Sequence, residues 1–145
     1  MPVRTLEFTD LNQQFYDLLA ETNEYEFTID LSDKQSEDAW SKYMKETNLQ
    51  VFVYNDKQYG IVGMSSIVII PQVFFYGVPY ATIRQVGVNK KFRNTKIGRS
   101  LVDSCCKFAI NMKCSKVLCT CGTKNVEFYE KCGFIKSSYS MEKVL

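Results

Sequence analysis

The sequence predicts a single α/β domain of the α+β type, with a mixed, mostly antiparallel sheet flanked by helices. Three observations lead to this fold class. Apolar residues recur at helical spacing over the first 44 positions, and apolar and polar residues then alternate as in strands through much of residues 50–88. After residue 96, helix, strand, helix and strand patterns follow one another. No linker, repeat or low-complexity tract interrupts residues 1–145, so one domain is expected.

Two helices are predicted near the N-terminus. The first follows Thr9 and Asp10, which can cap it. Its apolar side chains are Leu11, Phe15, Leu18 and Leu19. The second is expected to start at Ser32, because Ser32 and Gln35 have the spacing of a capping box. It carries Trp40, Tyr43 and Met44.

The central part of the sequence predicts strands. QVFVYND (residues 50–56) alternates, DKQYG (56–60) predicts a turn, and IVGMSSIVII (61–70) is long enough to complete a hairpin. Val73–Gly77 and Ala81–Val88 predict further β-structure. Gly87 interrupts the last run, and glycine inside a strand marks a bulge or a place where another part of the molecule or a ligand closely approaches the backbone.

The C-terminal third predicts a helix, a strand, a shorter helix and a last strand. Helical spacing runs from Ile97 to Met112, and KVLCTC (116–121) then indicates a strand. KNVEFYEKCG (124–133) predicts a helix that ends at Gly133, and the tail FIKSSYSMEKVL (134–145) predicts the final strand.

Composition excludes several classes of protein. An apolar content of 46% with 23% charged residues is typical of a globular chain. The longest apolar run falls short of the ~18 residues that a membrane span needs, and the N-terminus lacks the apolar core of a signal peptide. We therefore expect a cytoplasmic protein with no membrane partner.

Cysteine and histidine usage limits the chemistry. All six cysteines follow residue 104 without a C-x-x-C pair, and histidine is absent. A metal site is therefore not expected, and the cysteines are expected to be reduced packing residues. Ser-His and Cys-His nucleophiles are excluded, so any catalysis must use carboxylates, tyrosines, cysteines, backbone dipoles or water.

One strongly basic segment lies at a predicted strand-to-helix junction. Five basic residues fall within ten positions and no acid interrupts them, although the whole chain carries only +2. They are Lys90, Lys91, Arg93, Lys96 and Arg99. Three interpretations compete: a solvated charge run, a nucleic-acid contact, or a site for a nucleotide-like molecule. Nucleic acid is disfavoured because the charge is confined to one loop. The N–H groups at a helix start would suit phosphate. A P-loop and a dinucleotide fingerprint are both absent.

Two motifs carry a resemblance to a known family. RNTKIG (93–98) resembles the Arg/Gln-x-x-Gly-x-Gly/Ala loop of the GNAT superfamily of acetyl-CoA-dependent N-acetyltransferases, with Lys96 in place of the first glycine. Downstream, KNVEFYEKCGF (124–134) is similar to the Asn, Tyr and Gly-Phe signature of the same superfamily. Some 30 residues separate the motifs, enough for the intervening helix and strand.

The resemblance implies a GNAT fold with splayed strands and a site for acetyl-CoA as co-substrate. Val86 and Val88 would offer backbone groups to the pantetheine arm beside Gly87, and the Val86 N–H would be the oxyanion donor. Tyr129 would protonate or hydrogen-bond the leaving sulfur. Asn125, Phe128 and Lys131 would add coenzyme contacts, although Asn125 could instead cap its helix and Phe128 could be core. Backbone groups and cations for the pyrophosphate would come from Arg93, Asn94, Thr95, Lys96, Ile97, Gly98, Arg99 and Ser100.

The passage from residue 81 to residue 134 is most similar to members that acetylate an amino-sugar phosphate for amino-sugar nucleotide synthesis and usually form homodimers. The sequence departs from them where Arg84, Gln85 and Thr120 replace acids. These three are the expected acceptor-binding positions. Arg84 would suit a phosphate, because guanidinium binds phosphate in a bidentate way, or it could be a surface ion-pair residue. Proton removal would then rest on water and backbone carbonyls.

Alternative functions remain open at this point. The acceptor could be a polyamine, another small amine or a protein amine, or the fold could bind acyl-CoA as a sensor without turnover. Cys119 and Cys121 would share one face of their strand by period-two geometry. We interpret them as packing residues.

Overall fold

A five-stranded sheet forms the centre of the computed structural model, which describes residues 2–22 and 34–145. Its strands lie in chain order: β1 Val3–Thr5, β2 Leu49–Asp56, β3 Gly60–Ile70, β4 Tyr80–Val88 and β5 Val117–Cys119. Neighbours are antiparallel except β4 and β5, which are parallel. The predicted mixed, mostly antiparallel sheet is confirmed.

Helices cover both faces of the sheet. They are α1 Gln13–Thr22, α2 Lys34–Tyr43, α3 Ile97–Asn111 and α4 Val126–Lys131. Phe15 of α1 and Trp40 of α2 pack over β2 and β3, whereas Val102 and Cys105 of α3 pack on the opposite face. In this described part of the chain, no helix combines the length and apolarity that a membrane crossing requires. The predicted cap Ser32 lies outside the described residues.

The β2–β3 hairpin is confirmed, and its turn has a local cause. Asp56 Oδ1 accepts the N–H groups of Gln58 and Tyr59 at 2.8 and 3.0 Å, which closes the turn. Gly60 then adopts φ +73°, a conformation that glycine reaches without steric cost.

A bulge in β4 lies at Arg84, whereas a bulge at Gly87 was one of the two alternatives that the sequence predicted. Gln85 pairs with Ser66 and Ile83 pairs with Ile67, which leaves Arg84 as the extra residue. Ile83 packs toward α3, and after the extra residue Val86 and Val88 face α3 as well. Gly87 is thereby turned toward α1. The bulge therefore reverses which side chains of residues 85–88 face α3 and which face α1.

The predicted cap of the first helix is wrong. Thr9 and Asp10 belong to a 3₁₀ turn, Phe8–Asp10, and α1 begins later at Gln13. Asn12 Oδ1 accepts the Phe15 N–H at 3.2 Å, so Asn12 provides the cap. Asp10 instead binds Arg4 through both carboxylate oxygens, at 2.6 and 2.8 Å. A stronger, charged partner explains the difference.

Three strand predictions need correction. Val73–Gly77 is an exposed turn, in which Phe75, Tyr76 and Gly77 all have positive φ. KVLCTC forms a strand only from Val117 to Cys119, because the pairing with β4 stops there. The tail 134–145 forms no strand, and within the described residues no strand pairs with it. Apolar composition alone does not provide a pairing partner.

Candidate active site

The site begins where β4 and β5 separate. Their last paired residues are Ile83 and Cys119, and beyond them the edge of β4 from Arg84 to Val88 has no strand beside it in the described part of the chain. The Val88 carbonyl accepts the Arg93 Nε–H at 3.1 Å on this open edge. Because backbone groups point to alternate edges along a strand, the N–H and C=O of Val86 face the same side.

The end of α1 lies directly against this open strand. A Cβ added to Gly87 would come within 2.6–2.7 Å of the Thr22 side chain, a distance that real Cβ atoms do not show. Glycine at position 87 therefore serves a close approach by a neighbouring helix. The sequence predicted a bulge or a close approach, and the second alternative is the one found.

The basic loop connects β4 to α3 through a 3₁₀ turn, Lys90–Phe92. Thr95 Oγ1 donates to the Phe92 carbonyl at 2.6 Å and accepts the Ile97 N–H at 3.4 Å. The Gly98 and Arg99 N–H groups find no acceptor among the described residues. They are free to bind an anion at the positive end of the α3 dipole.

The five basic residues of this loop are exposed and uncompensated. Salt bridges do occur elsewhere, as between Arg4 and Asp10. Within residues 2–22 and 34–145, however, the side chains of the five form no salt bridge. The exposed residues are Lys90, Lys91, Arg93, Lys96 and Arg99. The interpretation as a solvated run needs no ligand, but such a concentration beside free helix amides favours a multiply charged anion.

The two motifs meet in space. A Cβ on Gly98 would lie 3.2 Å from the Phe128 ring, so α4 packs tightly on the first turn of α3. Phe128 is half-buried against the core, as the packing interpretation expected. Its ring centroid lies 5.0 Å from that of Tyr129. The loop and the downstream signature thus form one continuous surface.

Tyr129 is half-buried at the separation of β4 and β5. Its ring packs edge-on against Phe134, with centroids 5.7 Å apart, and lines a cavity of about 420 Å³ together with Thr120. Burial is the main cause that raises the pKa of the Tyr129 hydroxyl. The hydroxyl therefore stays protonated at neutral pH and can act as a hydrogen-bond or proton donor.

Asn125 and Lys131 border the same helix. Asn125 is exposed at the N-cap position of α4, but its side chain makes no capping bond, so it is available to a ligand. Lys131 Nζ lies 2.8 Å from Glu127 Oε1 one turn earlier, with both side chains in solvent. That pairing supports a surface role for Lys131 at least as well as a coenzyme contact.

The three predicted acceptor positions lie around the same separation point. Arg84 and Thr120 are the residues directly after the last β4–β5 pair, and both are exposed. Gln85 is exposed next to Arg84. Arg84 forms no salt bridge with any described residue, so the ion-pair interpretation of this arginine has no support.

All six cysteines are free thiols. Cys105 is buried against Ser65, with its Sγ 3.3 Å from the Ser65 Oγ, and burial raises the pKa of this thiol to about 12. Cys119 and Cys121 line the cavity beside Tyr129, and burial raises the pKa of Cys119 to about 11. Thiols with such pKa values are poor nucleophiles, in agreement with packing roles.

Sequence reasoning missed the contribution of α1. Glu21 accepts hydrogen bonds from the Asn89 side chain and the Lys90 N–H, and Thr22 contacts Gly87. These partners lie more than 60 residues away along the chain. No local pattern in the sequence could have indicated the contacts.

Strands that separate beside a basic helix start are the arrangement that the resemblance implied for acetyl-CoA-dependent transferases, and the comparison with known families agrees. Residues 12–134 match the acetyltransferase (GNAT) family, and the chain belongs to it. A curated relative, glucosamine 6-phosphate N-acetyltransferase of Arabidopsis thaliana, is 27% identical over 97% of this chain and 94% of its own. The relative of that name from Trypanosoma brucei brucei is 32% identical over 51% of this chain and 50% of its own.

The comparison of structures agrees in fold. The crystal structure of glucosamine-6-phosphate N-acetyltransferase from Arabidopsis thaliana superposes with a TM-score of 0.89, covering 98% of this chain and 96% of that one at 24% identity. Identity at this level establishes a shared fold. The GNAT fold predicted from the two motifs is confirmed.

Proposed function

We propose that this protein transfers the acetyl group of acetyl-CoA to the 2-amino group of glucosamine 6-phosphate and so feeds amino-sugar nucleotide synthesis. Family membership supports acetyl transfer, and the names of the curated relatives support this acceptor. The single observation that carries the coenzyme half of the proposal is the junction at Gly98 and Phe128. There the open β4 edge, the free α3 amides and Tyr129 belong to one surface.

The residues present fit acetyl-CoA. The open edge of β4 offers the Val86 and Val88 backbone groups to an amide-bearing arm, which would bind as an added strand. The Gly98 and Arg99 amides and the loop cations would hold the pyrophosphate. Asn125 would reach the coenzyme from the start of α4. We retain Lys131 as a weaker candidate, because it has its own partner.

The proposed chemistry is a direct transfer with both substrates bound. The neutral amine attacks the thioester carbonyl carbon, the C–N bond forms and the C–S bond breaks. The Val86 N–H stabilises the charge that develops on the carbonyl oxygen, a contribution of roughly 3 kcal/mol at comparable sites. Tyr129 gives its proton to the departing sulfur, and water takes the proton that the amine loses.

The acceptor would bind beside the point where β4 and β5 separate. Arg84 is exposed and unpaired among the described residues, so its guanidinium can take a sugar phosphate in a bidentate way. A polyamine or a lysine would instead need carboxylates here, and positions 84, 85 and 120 carry none. The charge at these positions therefore favours an anionic acceptor.

An amine panel tests the proposal. Purified protein, acetyl-CoA and either glucosamine 6-phosphate or spermidine are mixed, and release of free coenzyme A thiol is followed. We expect turnover with the sugar phosphate only, and unphosphorylated glucosamine should be a poor acceptor. Turnover with spermidine alone would contradict the proposed acceptor, and coenzyme binding without any turnover would favour an acyl-CoA sensor.

We also propose a homodimer built through the C-terminal tail. Ile135, Tyr139 and Met141 are 85–96% exposed, and apolar side chains exposed together in this way are typical of a protein–protein interface. The outer edge of β5 has no strand beside it among the described residues, and the 420 Å³ cavity separates it from the tail. A strand from a second copy would pair with that edge. The cytoplasmic location stays a prediction from the sequence.

A further inference from the structure

The last turn of α1 binds the start of the basic loop through a single carboxylate. Glu21 Oε1 accepts the Lys90 backbone N–H at 2.9 Å, and Oε2 accepts the Asn89 Nδ2–H at 3.1 Å. Both oxygens are therefore used in charge-assisted bonds, which are stronger than neutral ones. No acid occurs between residues 88 and 101, so this contact must come from another element.

The partner of Glu21 is itself held in place. The Asn89 Oδ1 accepts the Lys91 N–H at 3.0 Å, which fixes the orientation of the amide and directs its NH₂ group at Glu21. The Asn89 backbone N–H donates to the Val62 carbonyl at 2.8 Å, and its own carbonyl accepts the Phe92 N–H at 2.8 Å. Asn89 thus connects the sheet, the loop and α1.

Thr22, the next residue of α1, packs on Gly87. Two consecutive residues at the end of one helix therefore fix both the open β4 edge and the loop that follows it. The coenzyme must contact these two features at the same time. Their separation has to be set before binding, since otherwise ordering the loop costs affinity.

We infer that Glu21 is a positioning residue that holds the basic loop in register with the β4 edge for acetyl-CoA. The inference rests on the coenzyme site of the proposed function. A charge argument predicts the opposite effect, because a carboxylate near an anionic coenzyme repels it and its removal should tighten binding. Removal of the Glu21 carboxylate should therefore weaken coenzyme binding if Glu21 positions the loop, and should strengthen it if only electrostatic repulsion acts.

The test compares Glu21→Gln with Asp17→Asn. Both substitutions remove one negative charge from α1, but Asp17 is exposed and, among the described residues, bonded only to Gln13 of the same helix. Calorimetry with coenzyme A measures the Kd, and initial rates give the two KM values. We expect Glu21→Gln to raise the coenzyme Kd and the acetyl-CoA KM about tenfold, the size of a lost charge-assisted bond, with little change in the acceptor KM. Asp17→Asn should bind as the wild type or slightly tighter.

A reciprocal pair provides the rescue. In Glu21→Gln with Asn89→Asp, the new glutamine NH₂ donates to the new carboxylate, so the bond is reversed while the net charge is kept. We expect a coenzyme Kd within about threefold of the wild type, well inside the range of one bond. This variant carries the test if the single substitution fails to fold.

The possible outcomes are distinct. Wild-type or tighter coenzyme binding by Glu21→Gln overturns the inference, as does a double variant that folds but stays tenfold weaker. Failure of the wild-type protein to bind coenzyme A overturns the proposed function itself. Weak binding by Glu21→Gln alone, restored in the reciprocal pair, supports Glu21 as a positioning residue.

Discussion

The Tyr129 hydroxyl combines two properties that a donor to a leaving thiolate needs. It lies on a half-buried ring whose position is set by Phe128 and Phe134, and burial raises its pKa so that it keeps its proton. The ring and the hydroxyl are separable by mutation, because phenylalanine preserves the packing. This residue therefore offers a direct test of the proposed chemistry.

Tyr129→Phe should lower kcat about 100-fold while leaving the coenzyme Kd within twofold of the wild type, because only the proton donor is lost. Stopped assays of thiol release measure kcat, and calorimetry measures Kd. Tyr76→Phe is the matched control, since Tyr76 is fully exposed on the turn between β3 and β4. Unchanged turnover in Tyr129→Phe would remove the catalytic role from this residue.

Gly87 can be tested through stability. Gly87→Ala places a methyl group within 2.7 Å of Thr22 and should lower the free energy of unfolding by about 1–3 kcal/mol, as overpacking does. Urea unfolding followed by Trp40 fluorescence measures the change. Gly122→Ala is the control, because no atom of the described residues lies within 4 Å of its added Cβ and its φ is −68°. Equal effects at both positions would show that the close approach is not real.

Among the elements, β1 and the 3₁₀ turn that follows it depend on one ion pair. Arg4 binds both carboxylate oxygens of Asp10, and this hydrogen bonding is the main cause that lowers the pKa of Asp10. Asp10 also accepts the Glu7 N–H at 2.8 Å. These hydrogen bonds stabilise the ionised carboxylate of Asp10 in the folded state more than the unfolded chain does.

The pH dependence follows from that sign. A carboxylate with a lowered folded pKa stabilises the fold above its unfolded pKa of about 3.9 and loses that contribution as pH falls through the folded value. Asp10→Asn should therefore cost about 1 kcal/mol at pH 7, and the difference from the wild type should shrink as pH falls below the unfolded pKa and through the lower folded pKa. Urea unfolding at several pH values checks this. Asp17→Asn, an exposed change, should stay within about 0.5 kcal/mol at pH 7.

Local patterns predicted the elements well where the side chains themselves decide the structure. Period-two alternation located the β2–β3 hairpin, and helical spacing located α3. They failed at Val73–Gly77 and in the tail, because a strand also needs a partner edge, which lies elsewhere in the chain. The bulge was displaced to Arg84 for a similar reason, since register is a property of two strands together.

The features of the candidate site also fall into those that the sequence predicted and those that it did not. The loop and the Asn, Tyr and Gly-Phe signature were visible in the sequence, because each occupies a short contiguous segment. The contact of Gly98 with Phe128 and the bonds of Glu21 were not, because they join segments some 30 and nearly 70 residues apart. The sequence therefore indicated the candidate site residues, and the structure added the long-range contacts that hold those residues in place.

For the whole molecule, the exposed tail leads to a prediction about assembly. Removing residues 135–145 should give a monomer, because the proposed dimer depends on the tail and the open β5 edge. Sedimentation velocity of the full chain and the shortened chain measures the mass. Phe74→Ser, a change on the exposed turn between β3 and β4, should leave the full-length mass unchanged. A full chain that sediments as a monomer would contradict the proposed dimer.

The extra residue at Arg84 has a consequence for how this protein can change over evolutionary time. If Arg84 paired regularly with Ser66, the following residues would shift by one position, so that Val86 and Val88 would turn away from α3 and Gln85 would enter the apolar interior. Replacement of the Arg84 side chain leaves this register intact, whereas a residue gained or lost between Gln85 and Val88 would turn the following side chains to the opposite face. New acceptor preferences can therefore arise at position 84 by single substitutions, whereas insertions and deletions in the second half of β4 should be purged.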